Sequence, residues 1–122
     1  IGTNDIGKDV PVNEALNNLE AIIQSIARDY PLTEIKLLSI LPVNEGEEYK
    51  QTVYIRSNEK IQKWNQAYQE LASAYMQVEF VPVFENLLDQ DGQLKADYTT
   101  DGLHLSVAGY QALSNTLKKY IL

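Results

Sequence analysis

Glu34-Ile35-Lys36-Leu37-Leu38-Ser39-Ile40-Leu41-Pro42-Val43 decides what kind of fold this chain can have. Apolar residues follow one another too closely for a strand with one wet face. Such a run reads as a strand buried on both faces, as in a parallel sheet. Upstream, Leu16, Leu19, Ile22, Ile23, Ile26 and Ala27 recur at three- and four-residue steps. That spacing predicts an amphipathic helix over residues 11–30, with Pro11 as its first residue and Asp9 or Val10 near the cap. Pro31 stops it. Residues 1–10 read as a loop.

Downstream, Pro42 and Asn44 open a loop. In an α/β sheet the segment after a strand's C-terminal end lines the ligand crevice, so residues 42–54 are expected at a substrate rim. A long helix is predicted over residues 54–76, capped by Ser57 or Asn58, with Ile61, Trp64, Tyr68, Leu71, Ala72 and Tyr75 inward. Its spacing makes Trp64 a core residue. Arg56 is read as a surface ion-pair partner in preference to a site residue. Residues 78–84 form a second strand, which Pro82 places at an edge or ends. Residues 85–88 read as a short helical turn, and Asp89-Gln90-Asp91-Gly92 as a tight turn. Ser106 caps a last helix bearing Leu113, Leu117 and Ile121, with Lys118 and Lys119 in its final turn. Strands alternating with helices make this an α/β chain with a parallel sheet. Two strands and a stub at Ile1 are few for such a sheet, so the chain is expected to be part of a larger domain.

The 122 residues make at most one domain, and 44% hydrophobic with 22% charged residues is ordinary for a globular one. A net charge of −7 argues against nucleic acid and against anionic membrane surfaces. No apolar run approaches the ~20 residues of a membrane span. The absence of cysteine removes disulfides and thiolate chemistry but leaves the compartment open. With one histidine, a His-rich catalytic zinc site is not expected.

That histidine stands in Asp101-Gly102-Leu103-His104-Leu105-Ser106. An imidazole beside a carboxylate is two thirds of a nucleophilic triad: the carboxylate orients the ring and stabilises its charged form. The same spacing also suits a plain surface or capping histidine. Gly2-Thr3-Asn4-Asp5 near the start is, by itself, turn chemistry.

Taken together, Gly2-Thr3-Asn4-Asp5, Asp101-Gly102-Leu103-His104 and the run at residues 37–43 resemble the SGNH hydrolase superfamily (GDSL-type esterases). The two motifs match its third and fifth blocks in the right order. The resemblance implies a flavodoxin-like three-layer α/β/α sandwich, of which residues 1–122 are the C-terminal portion. It implies serine esterase or acylhydrolase activity on small acyl esters, acetylated sugars among them, with no cofactor and no metal. It makes His104 the general base, Asp101 its orienter and Asn4 an oxyanion-hole donor. The family's Gly-Asp-Ser block and oxyanion glycine have no counterpart here. None of Ser25, Ser39, Ser57, Ser73, Ser106 or Ser114 lies on a glycine-flanked elbow. The nucleophile is therefore expected from the N-terminal half of the domain or a complementing chain. Two other readings stay open: a non-catalytic α/β binding module or inactive relative, and a metal-dependent hydrolase using Asp101 and His104 as ligands.

Overall fold

A computed structural model describes residues 1–121. Its elements run α1 (Thr3–Gly7), α2 (Val12–Asp29), β1 (Ile35–Leu38), α3 (Lys50–Val53), α4 (Asn58–Ser73), β2 (Val78–Val81) and α5 (Val107–Ile121). Single 3-10 turns lie at Glu47–Tyr49, Glu85–Leu87 and Ala96–Tyr98. The strands pair in parallel, with Ile35 opposite Val78 and Leu38 opposite Val81. A parallel pair needs a long crossover, and α3 and α4 provide it. Apolar faces of α2 and α4 meet over the sheet: Leu19, Ile23, Leu37, Ile61, Trp64 and Tyr68 are all buried in one cluster. Burying an aliphatic side chain is worth about 1.5–3 kcal/mol, so this cluster holds the layers together. No described helix is long and apolar enough to cross a membrane.

The structure revises several expectations. Residues 3–7 are helical rather than loop. Pro11 is the N-cap of α2 rather than its first residue, and its carbonyl accepts from Glu14 and Ala15. The crossover is two helices rather than one. Tyr54 sits at φ 59°, which ends α3, and Ser57 then caps α4 by accepting from the Lys60 N–H at 3.2 Å.

The decisive run is also a shorter and less buried strand than its composition suggests. Leu37 is buried, while Ile35, Lys36 and Leu38 are only half-buried. Past Leu38, the Ser39 N–H still donates to Val81 O at 3.0 Å. Side-chain amides from α4 then take over. Asn65 Oδ1 accepts from Ile40 N at 2.7 Å and Asn65 Nδ2 donates to Ile40 O at 3.1 Å. Asn58 does the same for Val43, at 2.8 and 2.7 Å. Each buried amide acts as one rung of a missing strand, and buried backbone groups demand such partners. The chain from Ile40 to Val43 is thus held at both ends by side-chain amides of α4 without being paired to another strand.

Candidate active site

The loop around His104 is built on Thr99. This buried hydroxyl donates to His104 O at 2.6 Å and accepts from Gly102 N at 2.9 Å, closing the loop from inside. Thr99 and Leu105 also form an antiparallel bridge. Gly102 turns the chain at φ 85°. A Cβ there would lie 2.6 Å from Tyr49 Cγ and 3.0 Å from Asn44 O, so the position has room only for glycine. Asn44 fixes the loop from the other side, its N–H donating to Gly102 O at 2.9 Å. Ser106 caps α5 as expected, accepting from Gly109 N at 3.2 Å while its hydroxyl donates to Asp97 O at 2.8 Å.

On this frame Asp101 turns both carboxylate oxygens back on the loop. Oδ1 accepts from Leu103 N at 2.9 Å and His104 N at 2.7 Å. Oδ2 lies 2.6 Å from His104 Nδ1. Partial burial pushes the Asp101 carboxyl upward. The imidazole hydrogen bond, the two backbone N–H donors and the charge of the ring together outweigh it and bring the carboxyl down to about 2. An anion at Oδ2 places the proton on Nδ1 and leaves the Nε2 lone pair outward. Among the described residues Nε2 has no hydrogen-bond partner. The pair is open to water, with side-chain exposures of 73% for His104 and 34% for Asp101.

Asn4 lies a hundred residues away in sequence and comes to the same place. It sits on α1, which enters over Gly2 at φ 115°. A side chain at Gly2 would strike the Tyr68 hydroxyl and Ile40 at 2.5 and 2.7 Å. Burial and the nearby charge of Asp5 push that tyrosine up to about 12, so it stays protonated. Asn4 and His104 line one hollow of about 260 Å³, together with Ile1, Leu38, Leu103 and Tyr110. Thr3 also lines the hollow, and its Oγ1 is buried without a hydrogen-bond partner among the described residues.

Ser39 also reaches this hollow, but it is 4% exposed and its oxygen accepts from Val83 N at 3.0 Å. Of the loop expected at a substrate rim, Pro42 lines the hollow. Tyr49 instead braces Gly102. Among the described residues Arg56 makes no ion pair: its guanidinium donates to the carbonyls of Thr3, Thr52 and Val53. Thr99, Tyr49 and Arg56 were not singled out as site residues by sequence. Their roles are contacts across 3 to 53 positions, which no local pattern in the sequence announces. Among the described residues no three His, Cys, Asp or Glu side chains gather as a metal-holding group.

The profile of the GDSL-like lipase/acylhydrolase family matches residues 1–112. Among solved structures, a Streptococcus pneumonia protein provisionally described as a platelet activating factor superposes with a TM-score of 0.99 at 86% identity. All of this chain and 57% of that one are covered. A GDSL-like lipase from Bacteroides thetaiotaomicron gives a TM-score of 0.76 at 24% identity, over 98% of this chain and 58% of its own. A Bacteroides fragilis protein provisionally described as an acylhydrolase gives 0.74 at 18% identity, over 91% and 51%. At these lower identities the likeness speaks for the fold. The chain thus spans between half and three fifths of the length of these solved relatives. No curated protein matches it in sequence.

Proposed function

The chain belongs to the GDSL-like lipase/acylhydrolase family, and from that premise we propose that it supplies the base, its orienter and one oxyanion donor of a serine esterase acting on small acyl esters. In this reading residues 1–122 are the C-terminal portion of the hydrolase domain, and the nucleophilic serine comes from the remaining portion or from a complementing chain. One observation carries the reading: His104, its Nδ1 2.6 Å from Asp101, lines the same hollow of about 260 Å³ as Asn4.

The chemistry follows from the atoms available. As the serine oxygen attacks the acyl carbonyl, His104 Nε2 takes its proton, and Asp101 stabilises the imidazolium that results. The Asn4 amide donates to the carbonyl oxygen as it becomes negative; one such donor is worth about 10²–10³ in rate. When the carbon–oxygen bond to the alcohol breaks, Nε2 returns the proton to the departing alkoxide. Water then releases the acyl group by the same steps in reverse order of partners. Apolar walls at Leu38, Leu103 and Tyr110 support a small acyl group, and acetyl esters, including acetylated sugars, are the first substrates to assay.

The test uses the full-length protein and a fluorophosphonate probe. Covalent labelling of a serine outside these 122 residues, lost in His104→Ala together with p-nitrophenyl acetate hydrolysis, is the expected result. Labelling of a serine within them, or full hydrolysis by His104→Ala, refutes the assignment. A protein that neither labels nor hydrolyses is the inactive relative.

A further inference from the structure

We propose that Arg56 is a positioning residue for the oxyanion donor, its guanidinium fixing the peptide unit that carries Asn4. This inference rests on the reading of Asn4 given above. Arg56 Nε donates to Thr3 O at 2.9 Å, the carbonyl of the peptide whose nitrogen belongs to Asn4. Nη1 donates to Thr52 O at 3.2 Å and Val53 O at 3.3 Å, at the C-terminal end of α3. The guanidinium also lies on the backbone of Gly7: a Cβ there would come within 2.6 Å of Arg56 Cζ. The side chain therefore spans α1 from its first residue to its last and ties it to α3. None of the ion pairs among the described residues involves Arg56. Its donors go to main-chain oxygens in a fixed planar fork, which lysine cannot reproduce.

The need for such a clamp follows from the length of α1. Five residues cannot hold a helix in water, because nucleation is unfavourable and so few bonds repay it. On its inner side α1 is seated by buried Ile6 and by Gly2 over Tyr68. Asn4 is exposed on the other side, toward the hollow. Rotation of the Thr3–Asn4 peptide would swing the amide away from a developing oxyanion, and Arg56 holds that peptide's oxygen.

The test is a double-mutant cycle in the full-length enzyme, reading kcat and KM on p-nitrophenyl acetate. Asn4→Ala alone is expected to lower kcat by about 10²–10³-fold. Arg56→Ala alone should lower kcat by about 10–100-fold, the scale of a small misplacement, with KM within about twofold. In the Asn4→Ala background the same Arg56→Ala change should cost less than about twofold, because the group it positions is gone. Arg56→Lys, which keeps the charge but not the fork, should fall between, and it runs the same cycle if Arg56→Ala does not fold. Equal losses in both backgrounds, or an unchanged kcat in Arg56→Ala, overturn the inference and leave the Asn4 assignment standing. An unaffected Asn4→Ala overturns both.

Discussion

Replacing Asp101 by Asn separates the two jobs that one carboxylate does in this loop. Its Oδ1 accepts two backbone N–H groups, from Leu103 and His104, and an amide oxygen can accept both. The loop should therefore keep its shape, the more so because Thr99 and Asn44 hold it independently. Oδ2, 2.6 Å from Nδ1, becomes an NH₂ group in the variant. A donor there requires Nδ1 to accept, which moves the imidazole proton to Nε2 and removes the lone pair that takes the serine proton. The carboxylate charge that would stabilise the imidazolium is lost as well. Loss of about 10³–10⁴ in kcat is expected, or roughly 4–5.5 kcal/mol of transition-state stabilisation. The assay is p-nitrophenyl acetate hydrolysis by the full-length enzyme, with urea denaturation and fluorophosphonate labelling rates in parallel. A variant that hydrolyses within tenfold of the parent shows that the orientation of His104 does not depend on Asp101, and the tautomer argument fails.

Gly102→Ala adds left-handed strain to a collision with Tyr49 and Asn44, and should lose about 2–5 kcal/mol in urea denaturation. Gly92→Ala, at φ 77° with nothing within 4 Å of its Cβ, should lose only about 1–2 kcal/mol; equal losses would refute the role of the close approach. Asn65→Ala strands the buried N–H and C=O of Ile40 and should destabilise by about 2–4 kcal/mol; a change below about 1 kcal/mol would show that water replaces the amide. Asp101 should titrate at about 2 by carbon-detected NMR, below the ~3.9 of an unfolded aspartate. The unfolded state then binds more protons between these values, so the stability from this group is complete above about pH 4 and lost as pH falls through about 2. His104→Ala should move that midpoint upward, and an unmoved midpoint would remove the imidazole as a cause.

What could be read from sequence was what repeats. Residues Leu16 to Ala27 and Ala108 to Ile121 carry enough turns for apolar spacing to declare α2 and α5, and the parallel pairing followed from their alternation with two apolar runs. What could not be read was set by single long-range contacts. The five residues of α1 are too few to show a period; Gly2 against Ile40 and Tyr68, the buried Ile6, and Arg56 bonded to α3 hold them in place. The break at Tyr54 is a local φ that no composition announces. The early end of β1 depends on Asn58 and Asn65, which in sequence look like ordinary helix residues. The same division runs through the site. Asp101 and His104 are three residues apart and their pairing is local, so it was legible. The meeting of Asn4 with His104 is a property of the topology; no local spacing announces it, and in sequence only the family resemblance implied it.

The exposure of the pair adds a physical requirement to the proposed function. Its geometry is held by backbone bonds to Thr99, Gly102 and Asn44, which survive in water. Its electrostatic effect does not survive so well: a charge pair with one partner 73% exposed is screened, and pairs of that kind are worth about 0–1 kcal/mol. The same charges gain several-fold when water is excluded and the local dielectric falls. Asn4 is likewise exposed, and an amide already bonded to water has less to give an oxyanion. Ile1, Leu38 and Tyr110 ring the hollow with apolar surface, and Ile1 and Tyr110 are 70% and 62% exposed. Covering those side chains would dry His104 and Asn4 at the same time. On the proposed reading, then, full catalytic power requires water to be excluded from the hollow. A free serine-like nucleophile added to the uncovered site should show little of the enzyme's rate, because the dipoles would be in place but still solvated.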